Sequence, residues 1–221
     1  MSDTLAGLAG RVAPSAPLIT YYDLDTGERV ELSGATTANW VAKTANFLTE
    51  EADVEPGTRV RVGLPTHWLR LVWLLSCWQA GAVVAAADAE VGVSGPELSG
   101  EEPFRAASAL LPFGVRFPEP PEGFHDLGVE IPSQPDILLS LDEPEADDLA
   151  ADLPDLRATH AELLAATTPD ARRLVVGPGP LERDVSLVVA ACLGGGSLVL
   201  ACGGGPADLD KVTAQERAER G

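Results

Sequence analysis

VEPGTRVRVGLPTHWLRLVWLLSCWQAGAVVAAA, running from Val54 to Ala87, is the stretch whose reading decides the fold. Pro56-Gly57 is a turn pair, with proline presetting φ and glycine taking the position that L-residues resist. Arg59-Val60-Arg61-Val62-Gly63-Leu64 then alternates polar and apolar, the period of a strand with one covered face. Pro65 stops it. Beyond it, Leu71, Leu74, Leu75 and Trp78 fall at helical spacing while Trp68, Val72 and Trp73 fill other faces, so the helix is apolar nearly all round and belongs inside a core. Gly81 closes the helix, and Val83-Val84-Ala85-Ala86-Ala87 resumes as a continuous apolar strand. Strand, crossover helix and strand make a βαβ unit, which requires a parallel sheet covered by helices.

The flanks extend this pattern. Leu18 to Leu32, LITYYDLDTGERVEL, reads as two strands joined at Asp25-Thr26-Gly27, a small N-terminal hairpin. Ser33 or Thr36 then caps a helix reaching Glu50, with Trp40, Val41, Thr44, Ala45 and Leu48 on one face. After Ala87 the texture loosens: Glu90 to Glu102 reads as a loop, and the proline-rich Pro118 to Pro135 as irregular chain. Ile137-Leu138-Leu139 has the composition of a strand. Asp142 to Asp155, DEPEADDLAADLPD, reads as a solvated acidic loop or helix surface, without the alternating oxygens and central glycine of a calcium loop. His160 to Thr167 reads as a helix, Leu174-Val175-Val176 as a strand, Leu181 to Leu193 as a helix, Ser197 to Cys202 as a strand, and Asp208 to Arg220 as a polar helical tail. The expectation is one α/β domain over 1–221, its sheet mostly parallel and flanked by helices. A first βα half spans 1–103, an irregular proline-rich and acidic connection 104–173, and a second αβ piece with its tail 174–221.

Composition bounds the function. A chain of 221 residues with 45% hydrophobic residues supports a sizeable core. A formal net charge of −19 excludes nucleic acid and anionic membrane as natural partners, because phosphate attraction needs the opposite sign. Cys77, Cys192 and Cys202 have no metal or redox spacing and read as small buried hydrophobes of a reducing, cytoplasmic compartment. The N-terminus lacks a secretory pattern. The apolar run Val185 to Cys202 is broken by Gly194-Gly195-Gly196, so it reads as buried core rather than a membrane span. His67, His125 and His160 stand far apart without ligand spacing, so no metal site is expected and surface or capping roles are. Ser186 and Ser197 lack a nucleophile-elbow context. Gly177-Pro178-Gly179 and Cys202-Gly203-Gly204-Gly205-Pro206 have no following Lys-Ser/Thr and read as tight turns.

Order and spacing nevertheless resemble a known superfamily, the acyl-adenylate-forming enzymes (AMP-binding enzymes and acyl-CoA synthetases). Ile19-Thr20-Tyr21-Tyr22, the helix of Trp40 to Leu48, Pro56-Gly57-Thr58-Arg59-Val60, Gly63-Leu64-Pro65-Thr66 and Gln79-Ala80-Gly81-Ala82 match the opening of that family in sequence. Thr159-His160-Ala161-Glu162-Leu163-Leu164 is similar to the helix following the family's phosphate loop, and Leu174 to Leu200 to its later strand, helix, Gly-rich turn and strand. The resemblance implies a glycine- and hydroxyl-rich phosphate loop with a lysine just before Thr159. The chain instead reads DEPEADDLAADLPDLR there, without Gly or Lys, and those carboxylates would repel triphosphate. No position matches the family's adenine, ribose or adenylation-lysine elements, so no catalytic residue is carried over and no cofactor is expected. The chain also resembles a short actinobacterial family that keeps this head and lacks the AMP-binding motifs. The expected function is a non-catalytic relic of an acyl-adenylate-forming enzyme, retained as a binding or interaction protein. The alternatives are a subunit completed by a partner chain, and an acyl-CoA- or nucleotide-binding protein whose remnant pocket lies near Gly177 and Gly179. Self-association or an unknown protein partner fits the exposed edge that a shortened sheet would leave.

Overall fold

A computed structural model describes residues 3–139 and 143–221. Along the chain run β1 (Pro17–Asp23), β2 (Glu28–Ser33), α1 (Gly34–Glu50), β3 (Arg59–Val62), α2 (Trp68–Gln79), β4 (Val83–Ala85), β5 (Val91–Ser94) and β6 (Phe104–Ala107). They are followed by β7 (His125–Asp126), α3 (Leu127–Ser133), β8 (Leu149–Leu153), β9 (Leu156–Thr159), α4 (His160–Ala166), β10 (Arg173–Val176), α5 (Leu181–Gly194), β11 (Ser197–Cys202), α6 (Pro206–Gln215) and β12 (Glu219–Arg220). The strands form two sheets, ordered β12-β10-β11-β1-β2 and β7-β6-β5-β3-β4-β8-β9. Both are parallel apart from the β1–β2 and β8–β9 hairpins.

The βαβ unit forms as its periodicity requires. β3 and β4 pair in parallel, Arg59 opposite Val83 and Val60 opposite Val84. Val60 and Val62 are buried while Arg59 and Arg61 are half-buried on the other face. There Arg59 meets Asp152 at 2.9 Å and Arg61 pairs with Glu102. α2 is buried from Trp68 to Trp78 and packs against α1, α5, β1, β3 and β4. It therefore stands between the sheets and joins their cores into one cluster. Trp78 anchors it, its indole N–H donating to the Ala150 carbonyl of β8 at 3.0 Å. The tryptophan series is thus core packing.

The five-stranded sheet is covered on both faces, and period 2 sorts its residues. Ile19, Tyr21, Leu174, Val176, Leu198 and Leu200 face the common core. Tyr22, Val175, Val199 and Ala201 face the opposite way, against Val212 of α6. At the N-terminal hairpin Gly27 takes φ +81°. Ser33 caps α1, its hydroxyl accepting from the Thr36 amide at 3.2 Å.

Several expectations are corrected. The stretch 90–102, read as a loop, contains β5, which pairs between β3 and β6. The connection over 104–173 is not irregular: it contributes β6, β7, β8 and β9 to the seven-stranded sheet and carries α3 and α4. Its strands are short and rich in alanine and charge, so local propensity is weak and parallel pairing decides them. Ile137-Leu138-Leu139 is not a strand. Asn46 of α1 holds this segment, donating to the Pro135 and Ile137 carbonyls at 3.2 and 2.9 Å and accepting from the Leu139 amide at 3.0 Å. The acidic run begins at Asp142, which lies outside the described residues, and from Leu149 it is the β8–β9 hairpin rather than loop or helix. The polar tail is helical only to Gln215, after which Glu219–Arg220 pairs in parallel with β10.

Candidate functional site

Ligands of open α/β sheets bind in the crevice outside the carboxyl ends of the parallel strands. Here β1, β10 and β11 end together, and the start of α2 faces them. Pro65 stops the chain after β3, and Thr66 and His67 lead into the helix. His67 is its N-cap, with Nδ1 accepting from the Leu69 amide at 3.2 Å. The imidazole is buried beside Tyr21, ring centroids 4.4 Å apart, and Trp68 at 5.5 Å. Its Nε2 has no partner among the described residues. Burial pushes its pKa down to about 4 despite the opposing pull of Asp23, so the ring is neutral at physiological pH. The expected capping role holds, in the core rather than on the surface.

Gly177 and Gly179 lie on the loop leaving β10, where hydrogen bonds with Thr66, Arg70 and Arg183 hold the backbone. The Gly179 amide donates to the Thr66 hydroxyl at 3.1 Å, and its carbonyl accepts from Arg70 Nη2 at 3.0 Å. The Gly177 carbonyl accepts from Arg183 Nη2 at 2.6 Å. A side-chain carbon on Gly179 would fall 2.2 Å from the Arg183 guanidinium carbon. Behind the loop, Arg70 of α2 pairs with Asp184 of α5, their side chains 7% and 1% exposed. Arg183 adds a second contact to Asp184 at 3.1 Å. Cys202, at the end of β11, donates its thiol to the Thr66 carbonyl at 3.2 Å. Burial pushes that thiol up to about 11, so it is not a thiolate at neutral pH.

This Thr66–Arg70–Gly179–Arg183–Asp184 clamp escaped sequence reasoning. The available signal was Arg70, the one charged residue inside an otherwise buried helix, because a guanidinium so placed must find an anion.

The segment corresponding to a phosphate loop shows the same self-sufficiency. The Glu145 amide donates to Asp148 Oδ2 at 2.8 Å. Arg157 pairs with Asp152 at 2.7 Å, and Arg172 with Asp170 at 2.7 Å and Glu219 at 3.2 Å. In the glycine turn after β11, the amides of Gly204 and Gly205 donate to Asp25 Oδ1 and Asp208 Oδ2 at 3.0 and 3.1 Å. In these two segments the amides of Glu145, Gly204 and Gly205 are thus each bonded to a carboxylate of the chain.

The remaining candidates have structural roles. His160 is fully buried, its Nδ1 accepting from the Leu5 amide at 3.2 Å, which corrects the surface reading. His125 stacks on Phe104 at 4.3 Å and meets Glu130 at 2.9 Å. Ser186 donates to the Glu182 carbonyl, and Ser197 accepts from Arg173. Among the described residues no three His, Cys, Asp or Glu side chains are grouped to hold a metal.

Comparison with solved structures gives the same fold. An acyl-CoA synthetase of Brucella canis matches with a TM-score of 0.75 at 15% identity, over 97% of this chain and 46% of that one. An acetoacetyl-CoA synthetase of Streptomyces lividans matches with a TM-score of 0.74 at 20% identity, over 97% and 41%. An amide bond synthetase of Marinactinospora thermotolerans gives 0.69 at 18% identity, over 97% and 47%. The chain therefore spans less than half the length of these enzymes and corresponds to their N-terminal region. No family model matches. A Mycobacterium tuberculosis protein described as a TIGR03089 family protein is 32% identical over 231 residues, covering 95% of this chain and 93% of that protein. With that identity along nearly the whole of both chains, the protein belongs to the TIGR03089 family.

Proposed function

We propose that this protein is a non-catalytic binding or interaction protein built on the scaffold of an acyl-adenylate-forming enzyme. The observation that carries the reading is the self-capping of its anion positions by Asp25, Asp148 and Asp208, with Arg157 and Arg172 held in ion pairs. A carboxylate already bonded to a loop amide must be displaced before a phosphate can bind, and the net charge of −19 opposes the approach of a triphosphate. The pinned Gly177–Gly179 loop supports the same conclusion for the acyl side. ATP–pyrophosphate exchange tests the reading: none is expected with any member of a panel of carboxylic acids. Exchange above the protein-free blank with any one of them would overturn it.

A protein partner is favoured over a small molecule as the principal ligand. Phe113, Val115, Val129 and Ile137 are at least half exposed or close to it, at 86, 48, 50 and 73%, and all fall between residues 111 and 139. We place the protein in the cytoplasm, with its three cysteines free. Among the described residues no helix is long and apolar enough to cross a membrane. Size-exclusion chromatography with light scattering, alone and in lysate, measures the association: a strictly monomeric species in both would remove it.

A further inference from the structure

Seven large apolar side chains are exposed among the described residues, and all of them fall between Leu111 and Leu139. The most exposed, Phe113, sits at φ +64°, a left-handed conformation that a bulky L-residue rarely takes. The turn Pro112–Gly114 thus holds an aromatic ring out in water at a cost in backbone strain and in hydration, a combination typical of binding positions. Phe113 borders a groove of about 390 Å³. The floor of the groove is a stripe of α1, with Thr36, Trp40 and Lys43 at i, i+4 and i+7, and Phe113 and Pro132 form its walls. The surface continues along α1. Lys43 donates to the Pro132 carbonyl at 3.2 Å and pairs with Asp136 at 2.9 Å. Asn46, a turn further on, holds the carbonyl of the exposed Ile137 at 2.9 Å. Lys43 is the one cation lining the groove, and Asp136 neutralises it. The segment 111–139 itself carries Glu119, Glu122, Asp126, Glu130 and Asp136 against Arg116 alone.

We propose that this groove receives a basic amphipathic helix of a partner protein, an apolar side chain of which seats between Trp40, Phe113 and Pro132. Its lysines and arginines then meet the acids of the segment 111–139. A helical stripe at i, i+4 and i+7 is a ridge on which a second helix packs, with apolar anchors filling the groove beside it. Charge selects the partner: a chain of net charge −19 repels a second copy of itself and attracts a basic helix. The inference rests on the reading of this chain as an interaction protein, and the two fail separately. Pyrophosphate exchange would remove that reading, whereas the titrations below measure the groove alone.

Fluorescence anisotropy with the full chain tests it, using three labelled peptides of one amphipathic helical pattern: leucine–lysine, leucine–glutamate and serine–lysine. Saturable micromolar binding is expected for the leucine–lysine peptide only, since it alone joins apolar anchors to a positive rim. Phe113→Asn should weaken that binding at least ~10-fold. Its melting temperature should be equal or higher, because asparagine tolerates the left-handed conformation that strains phenylalanine. A merely structural role for Phe113 would not separate the two readouts in this way. The proposal is overturned if the leucine–lysine peptide does not bind in the micromolar range, or if either other peptide binds as tightly. Unchanged affinity in Phe113→Asn overturns it too. A dimer of the free chain in light scattering that Phe113→Asn abolishes would assign the groove to a second copy. Tighter binding of neutral naphthol than of the peptide would assign it to a small molecule, and either result also overturns the proposal.

Discussion

Replacing Arg70 with methionine tests the clamp directly. The substitution keeps most of the aliphatic bulk and removes the guanidinium. Asp184, 1% exposed, is then left with Arg183 alone, whose side chain is 34% exposed and in part screened by water. Removing one partner of a buried pair costs roughly 3–5 kcal/mol, because the remaining charge stays desolvated. The residual contact to Arg183 places the expected loss near the lower end, about 3 kcal/mol. The Gly179 carbonyl also loses its donor. In a chain of this length about 3 kcal/mol corresponds to roughly 6–12 °C in melting temperature. The assay is urea denaturation followed by tryptophan fluorescence, since Trp68, Trp73 and Trp78 are all fully buried and report global unfolding. Arg70→Met/Asp184→Leu should be more stable than Arg70→Met alone, because the orphaned charge has gone and the two apolar groups can pack. A loss under about 1 kcal/mol in Arg70→Met, or a double mutant showing the plain sum of the single losses, would refute the reasoning.

Three further outcomes are expected. His67 has a folded pKa of about 4 against 6.5 for a free imidazole, so the stability it confers is full above pH 6.5 and is lost as pH falls toward 4; the span is worth about 3 kcal/mol. His67→Asn, which keeps a capping side chain, should flatten that slope between urea melts at pH 7 and 4.5, and an unchanged slope would contradict it. Burial pushes the Glu216 carboxyl up, but hydrogen bonds from Tyr22, Arg173 and Arg29 outweigh it and hold the pKa below 4.5. Its contribution is therefore present above about pH 4.5 and lost on acidification below it, and Glu216→Gln should melt earlier at pH 7 yet converge with the parent at pH 3. Helix propensity alone favours Gly194→Ala by up to ~1 kcal/mol; here the new carbon would stand 2.3 Å from the Asp170 main chain, so calorimetry should show a lower melting temperature, not a higher one.

The parts of the fold visible in sequence are those where periodicity and burial coincide. Val60 and Val62 alternate with arginines because one face of β3 is covered, and α2 is apolar all round because it is surrounded. β5, β6 and β8 gave no comparable signal. Val91-Gly92-Val93-Ser94 and Leu149-Ala150-Ala151-Asp152-Leu153 are strands because neighbours in the parallel sheet satisfy their backbone groups, and pairing partners so far apart in the chain leave no local trace. The site divides along the same line. The acidity of DEPEADDLAADLPDLR, and its lack of Gly and Lys, is legible in the sequence alone.

Only the folded chain shows that Asp148, Asp25 and Asp208 turn back onto loop amides, that Arg70 of α2 reaches Asp184 of α5, and that Arg105 stacks on Phe124. Sequence by itself determined the α/β class, the buried βαβ unit and the acidic character, because these depend on residue type and on neighbours within one turn or one strand. Tertiary structure decided which charges are spent and which remain, because ion pairing depends on distances between residues such as 70 and 184, which no local pattern encodes.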